Sequence, residues 1–120
     1  MHDCLYHYRV VEVVSVFDAD TARLVLDFGF KTYGERSCRL ARINVPEIRD
    51  PDAATRAKAE QARNYLTARL SNAMSVGAEV LVRSVKLEKY GRALVELYIG
   101  DVNINDELVE KGYAVLYEAG

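Results

Sequence analysis

The segment Cys38-Arg-Leu-Ala-Arg-Ile-Asn-Val-Pro-Glu47 holds residue types that could hold a cation, a phosphate and a reacting water together. It reads as a strand running out into a proline-fixed loop, with a carboxylate directly after the proline. Two other segments are expected to face it: Asp18-Ala-Asp-Thr21 upstream and Lys89-Tyr-Gly-Arg92 downstream. Together they offer carboxylates, an amide and guanidinium groups. Carboxylates ligate hard cations or accept a proton from water, and guanidinium forks pair with phosphate oxygens. That inventory suits hydrolysis of a phosphodiester.

Each residue has a plain reading beside the chemical one. Asp18 and Asp20 flank Ala19 at the end of a predicted strand, where residues two apart point the same way and both carboxylates converge; the alternative is a solvated Asp-rich turn. Pro46 holds Val45 extended, leaving its carbonyl free to ligate, and Asn44 offers a neutral amide oxygen. Glu47 is placed for general-base work or is an ordinary loop carboxylate. Arg39, in an apolar strand, needs a partner, because an unpaired buried guanidinium is costly; that partner is a phosphate or an acidic neighbour. Arg92 opens a strand after Tyr90-Gly91 and is expected to reach the same point, while Arg42 is expected on the outer face. Tyr90 and Tyr117 are candidate surfaces for stacking bases, with Lys89 alongside, or are plain packing residues.

The elements that must position these groups follow from periodicity. Valine and aromatic density predicts a strand over 8–17, alternation a second over 23–28, and a hairpin at 29–34 leads to a third over 35–43. Asp52 is a fitting N-cap for a long helix through Met74, because Ala59, Ala62, Leu66, Leu70 and Ala73 recur at spacings of three and four. Further strands are predicted over 79–86 and 92–99. A short helix capped by Asn103 or Asn105 runs through Lys111 and stops at Gly112 in the left-handed region, before an extended, apolar 113–117. The order predicts an α+β domain, mainly β: a five-stranded closed barrel of the OB type with a long capping helix and a short C-terminal one.

The 120 residues are expected to form one domain, 1–120; half are hydrophobic and 28% charged, an ordinary globular balance. The formal net charge of −2 argues against a protein that grips duplex nucleic acid through many phosphates. Binding to nucleic acid is therefore expected to be local, with a short footprint. No apolar window reaches 18 residues, and the N-terminal residues lack the basic and apolar regions of a secretory leader, so a cytoplasmic location is expected. Cys4 and Cys38 have neither disulfide nor metal spacing, and Cys38 is expected in the core. His2 and His7 have no partner spacing, which gives zinc no support.

In order and spacing, Asp18-Ala-Asp-Thr21, Arg39-Leu40, Val45-Pro-Glu47, the long helix with Glu60 near its start, Lys89-Tyr-Gly-Arg92 and Asn105 to Gly112 resemble the staphylococcal nuclease (thermonuclease) family over about residues 8–117. The resemblance implies Ca²⁺-dependent cleavage of DNA and RNA that leaves 3′-phosphate ends; single-stranded or frayed nucleic acid is the expected substrate, and a monomer is expected. By position, Asp20 would bind the ion directly, with the Asn44 side chain and the Val45 carbonyl completing the protein ligands and Asp18 behind them. Glu47 would position or deprotonate the attacking water. Arg39 and Arg92 would bind the scissile phosphate and stabilise the transition state. Two residues depart from the pattern, which has aspartate at the position of Asn44 and threonine at that of Val45. The asparagine removes a negative charge from the ion's ligands, so weaker calcium binding is expected, and Mg²⁺ or Mn²⁺ stay open as alternatives. The 29–34 hairpin also looks longer than usual. The competing expectation is a non-catalytic nuclease-like module that binds nucleic acid or a protein partner.

Overall fold

The computed structural model describes residues 6–117, so His2 and Cys4 lie outside it. In chain order the elements are β1 (His7–Asp18), β2 (Thr21–Asp27), β3 (Tyr33–Leu40), β4 (Ile43–Asn44), α1 (Ala53–Ser75), β5 (Val80–Leu87), β6 (Ala93–Ile99), β7 (Val102–Asn103), α2 (Ile104–Glu110) and β8 (Val115–Leu116). The five long strands order as β3-β2-β1-β5-β6, and a parallel pairing of β3 with β6 closes the barrel. This is the predicted OB-type α+β architecture. Closure leaves no long edge between these strands.

β1 can wrap the barrel because it is bulged three times against β2, with register steps between Val10 and Glu12, Val13 and Ser15, and Val16 and Asp18. Each bulge adds an unpaired residue and increases the local twist. The barrel interior is filled by Leu24, Leu40, Val82, Val95 and Leu97. Leu66 and Leu70 of α1 are fully buried against this core, each contributing about 1.5–3 kcal/mol relative to exposure. The five α1 residues expected on the inner face are the helix's buried ones. Asp52 caps it, accepting from the Thr55 amide at 3.0 Å and hydroxyl at 2.8 Å. At the other end the Ala78 amide bonds the Ala73 carbonyl at 2.9 Å, past Gly77 at φ +72°.

Cys38 is fully buried in the core, and burial pushes its thiol up to about 11. At pH 8 almost no thiolate forms in the native protein. A maleimide label located by peptide mass analysis is therefore expected to miss Cys38 in the folded protein and modify it in denaturant. Rapid native labelling of Cys38 would contradict the packing described.

The third strand ends sooner than alternation predicted. After Leu40 the chain turns, with Arg42 at φ +70°, a conformation unfavourable for a residue with a Cβ. Its contacts hold it there: Arg42 donates to Glu96 through Nε at 2.8 Å and Nη2 at 2.7 Å, and to Asp106 at 2.8 Å. Arg42 is exposed, as expected for the outer face, and its side chain is engaged as well. Arg42 is solvent-accessible along one side but clamps the turn to β6 and α2. Beyond the turn, β4 pairs with β8, placing part of the 113–117 segment beside the Asn44 loop. Asn103, not Asn105, caps α2, its side chain accepting from the Asp106 amide at 3.0 Å. Asn105 is instead fully buried. It donates to the carbonyls of Ala41 (2.9 Å) and Val95 (3.1 Å) and accepts from the Leu97 amide at 3.0 Å. Chain reversal at Gly112 (φ +81°) follows.

Candidate active site

Two registers assemble the site. The β2–β3 pairing sets Thr21 opposite Arg39, which brings the Asp18–Asp20 turn beside the arginine. The parallel closure sets Cys38 opposite Ala93, which brings Arg92, one residue before β6, to the same end of the barrel. The Leu40 amide then bonds the Asp20 carbonyl at 2.8 Å, locking turn to strand. At this end opens a cavity of about 610 Å³ lined by Asp18, Asp20, Arg39, Asn44, Val45, Glu47 and Arg92, together with Thr21, Pro46, Asp50 and Thr55. Seven residues singled out from the sequence thus share one cavity. Thr21 was named only within the Asp18–Thr21 segment, and Asp50 and Thr55 were not singled out.

β1 ends at Asp18, so Asp20 reaches the cavity from the turn rather than from a continuing strand. Both aspartates are buried. Asp18 accepts from the Ile48 amide at 3.0 Å, tying the Val45–Asp50 loop to the end of β1. Asp20 is 3.1 Å from Arg39 Nη1 and accepts from the Thr21 hydroxyl at 3.1 Å. Burial nevertheless holds its carboxyl above the ordinary carboxylate range, against the opposing pull of Arg39 and Thr21. Arg39 also donates to the Asn44 side-chain oxygen at 2.8 Å and to the Leu40 carbonyl. The acidic-neighbour alternative for Arg39 is therefore the one in these contacts, and an incoming phosphate must compete with Asp20 and Asn44 for it. Arg92 is held only through Nε, by Glu88 at 2.8 Å, leaving its terminal nitrogens without a partner among the described residues.

Glu47 differs from every other acid at the site. It is exposed, lines the cavity, and its carboxylate has no hydrogen bond or ion pair among the described residues. Only its backbone is engaged, the carbonyl accepting from the Asp50 amide at 3.1 Å. An unengaged carboxylate in a cavity that two arginines also line can orient a water and take its proton.

A second, smaller cavity of about 380 Å³ adjoins the first, sharing Arg39, Asn44 and Arg92 and adding Lys86, Glu88 and Tyr117. Tyr117 is fixed there by its amide, which bonds the Arg42 carbonyl at 2.7 Å. Tyr90 and Lys89 line neither cavity. Tyr90 is 82% exposed, with the Lys89 ammonium 5.6 Å from its ring, on the turn that delivers Arg92.

The oxygens of Asp20, Asn44 and Val45 are the hard donors that Ca²⁺, Mg²⁺ or Mn²⁺ take. They fit such an ion in kind. Yet no three of His, Cys, Asp and Glu cluster suitably for a metal among the described residues. An ion would rest mainly on Asp20, with Asn44 and the Val45 carbonyl as neutral donors.

Comparison with known proteins bears on this site. A family model described as staphylococcal nuclease homologue matches residues 37–120, well over half of the chain. No curated protein matches at a significant level.

Proposed function

The chain belongs to the staphylococcal nuclease homologue family, and on that footing we propose that it is a nuclease hydrolysing phosphodiester bonds of single-stranded or frayed DNA and RNA to leave 3′-phosphate ends. The observation that carries this reading is the free Glu47 carboxylate in a cavity lined by Arg39 and Arg92. In the reaction Glu47 takes a proton from water as that water attacks phosphorus, and the bond to the 5′-oxygen breaks, that oxygen taking up a proton from solvent. Arg39 and Arg92 hold the non-bridging oxygens, where planar forks match the charge that grows in the transition state. Asp18 acts through the Ile48 amide, keeping the loop that carries Glu47 in place. Ca²⁺, with Mg²⁺ or Mn²⁺ as alternatives, would be held by Asp20, Asn44 and the Val45 carbonyl and would supply Lewis-acid neutralisation of phosphate charge. Tyr117 in the adjoining cavity, and Tyr90 with Lys89 on the exposed turn, would contact flanking nucleotides.

A non-catalytic nucleic-acid-binding or protein-binding module is the competing reading. It is favoured by one observation: the two side chains expected to hold the ion are both engaged by Arg39. Calorimetric titration with Ca²⁺ separates the ligand assignment from this alternative. Asn44→Asp adds a charged ligand and is expected to tighten calcium binding on the order of tenfold. Unchanged affinity would place Asn44 outside the ligands.

A further inference from the structure

We propose that Phe17 and Arg49 form a stacking shelf for one nucleobase of a single-stranded substrate, beside the cavity that holds Glu47; the inference rests on the nuclease reading for its ligand class. Three independent observations place it there.

The first is the last bulge of β1. Its register with β2 steps from Val16 opposite Ala22 to Asp18 opposite Thr21, so Phe17 faces no partner. Bulges recur beside active sites because they re-aim side chains. Here Asp18 goes inward to the cavity while Phe17 is left 44% exposed. A singly exposed apolar residue is unremarkable by itself; its neighbours give this one meaning.

The second is the Arg49 guanidinium, whose central carbon lies 5.2 Å from the Phe17 ring centroid. Arg9, Arg23, Arg39, Arg42, Arg69 and Arg92 are each paired with a carboxylate. Arg49, like Arg36, Arg56, Arg63 and Arg83, has no such partner among the described residues; it sits on the loop between the cavity residues Glu47 and Asp50. Its charge is available to an anion.

The third is rigidity. The residue after Phe17 is hydrogen-bonded to the residue before Arg49, through Asp18 Oδ1 and the Ile48 amide at 3.0 Å. The two segments that carry ring and guanidinium are therefore tied to each other at the edge of the cavity. A guanidinium propped on an aromatic ring offers a flat cationic surface for a base and N–H groups for the adjoining phosphate.

The test needs no turnover. In the Glu47→Gln protein, with chelator present, anisotropy measures binding of a fluorescein-labelled oligothymidylate of about ten nucleotides. Phe17→Ala and Arg49→Ala are each expected to weaken binding about tenfold, within the range that loss of one stacked base produces. Phe17→Leu, which keeps apolar bulk without a ring, should behave like Phe17→Ala. A set of oligonucleotides lacking one base in turn should contain a member on which these losses largely vanish. Affinities within twofold of the parent, full binding by Phe17→Leu, or losses that persist on every abasic member would overturn the shelf. So would the absence of any oligonucleotide binding. Cleavage by the wild-type protein is scored separately: shelf-dependent binding without cleavage rejects the nuclease reading alone, and cleavage with shelf-independent binding rejects the shelf alone.

Discussion

Glu47→Gln is expected to lower turnover by about 10²-fold or more while leaving the protein folded. The substitution keeps the volume and polarity of a side chain that has no hydrogen bond or ion pair among the described residues, so the structure loses little when the carboxylate becomes an amide. Chemistry loses the group that accepts a proton. Oligonucleotide affinity should stay near the parent value, because the residues assigned to phosphate, Arg39 and Arg92, are untouched. Single-turnover cleavage together with a binding titration separates the two effects. Full turnover in this variant would remove Glu47 as the base and reopen the choice among the acids of the cavity. Asp18 and Asp20, whose oxygens are already engaged, would then be the ones to examine.

The largest stability loss is expected at Asn105, remote from the chemistry in sequence but tied to it in space. Asn105→Ala leaves the Leu97 amide and the Ala41 carbonyl without their partner, while the Val95 carbonyl keeps its bond from the Ala41 amide. Each orphaned buried group costs about 1–3 kcal/mol, and the missing side chain adds a void. A loss of about 3 kcal/mol or more is expected in chemical denaturation, seen as a lower midpoint at unchanged slope. Since Asn105 holds the turn after β3 that feeds the Asn44–Glu47 loop, turnover in the surviving folded fraction should fall as well. A loss below about 1 kcal/mol would mean that water replaces the amide, contrary to the buried network described.

Much of this architecture is legible in the sequence because its signals are local. The run of Ala59, Ala62, Leu66, Leu70 and Ala73 places the long helix, and Asp52 marks its start. Valine-rich alternation places the strands. Non-local pairings carry no such signal. Nothing in YRVVEVVSVF tells that β1 is bulged at three places, since every residue in it suits a strand and register is settled by its partner. The turn at Arg42 was missed because the left-handed region usually calls for glycine or asparagine; here Glu96 and Asp106 hold an arginine there. Asn105 reads as a helix cap by type and position, and only the packed structure shows it bridging α2, β6 and the β3 turn.

The candidate site divides the same way. Asn44, Val45 and Glu47 are near in sequence, so their meeting in one loop was foreseeable. That Arg39 and Arg92 reach the same cavity depends on the parallel closure of β3 with β6, which residue types alone do not announce. Their chemistry set Asp20, Arg39, Glu47 and Arg92 on three segments expected to face one another, and the fold brings all four to one cavity. The Arg39–Asp20 and Arg39–Asn44 contacts are the unforeseen part. They arise because a largely desolvated guanidinium takes the acceptor oxygens within its reach.

The most direct test of the nuclease reading is cleavage of an end-labelled single-stranded DNA by the wild-type protein, with excess Ca²⁺, beside EDTA and Glu47→Gln controls. Fragments bearing 3′-phosphates are expected to form only when both the ion and Glu47 are present. Intact DNA with Ca²⁺, Mg²⁺ and Mn²⁺ alike, from protein shown to be folded, would contradict that reading and leave a nuclease-like fold that binds without cutting.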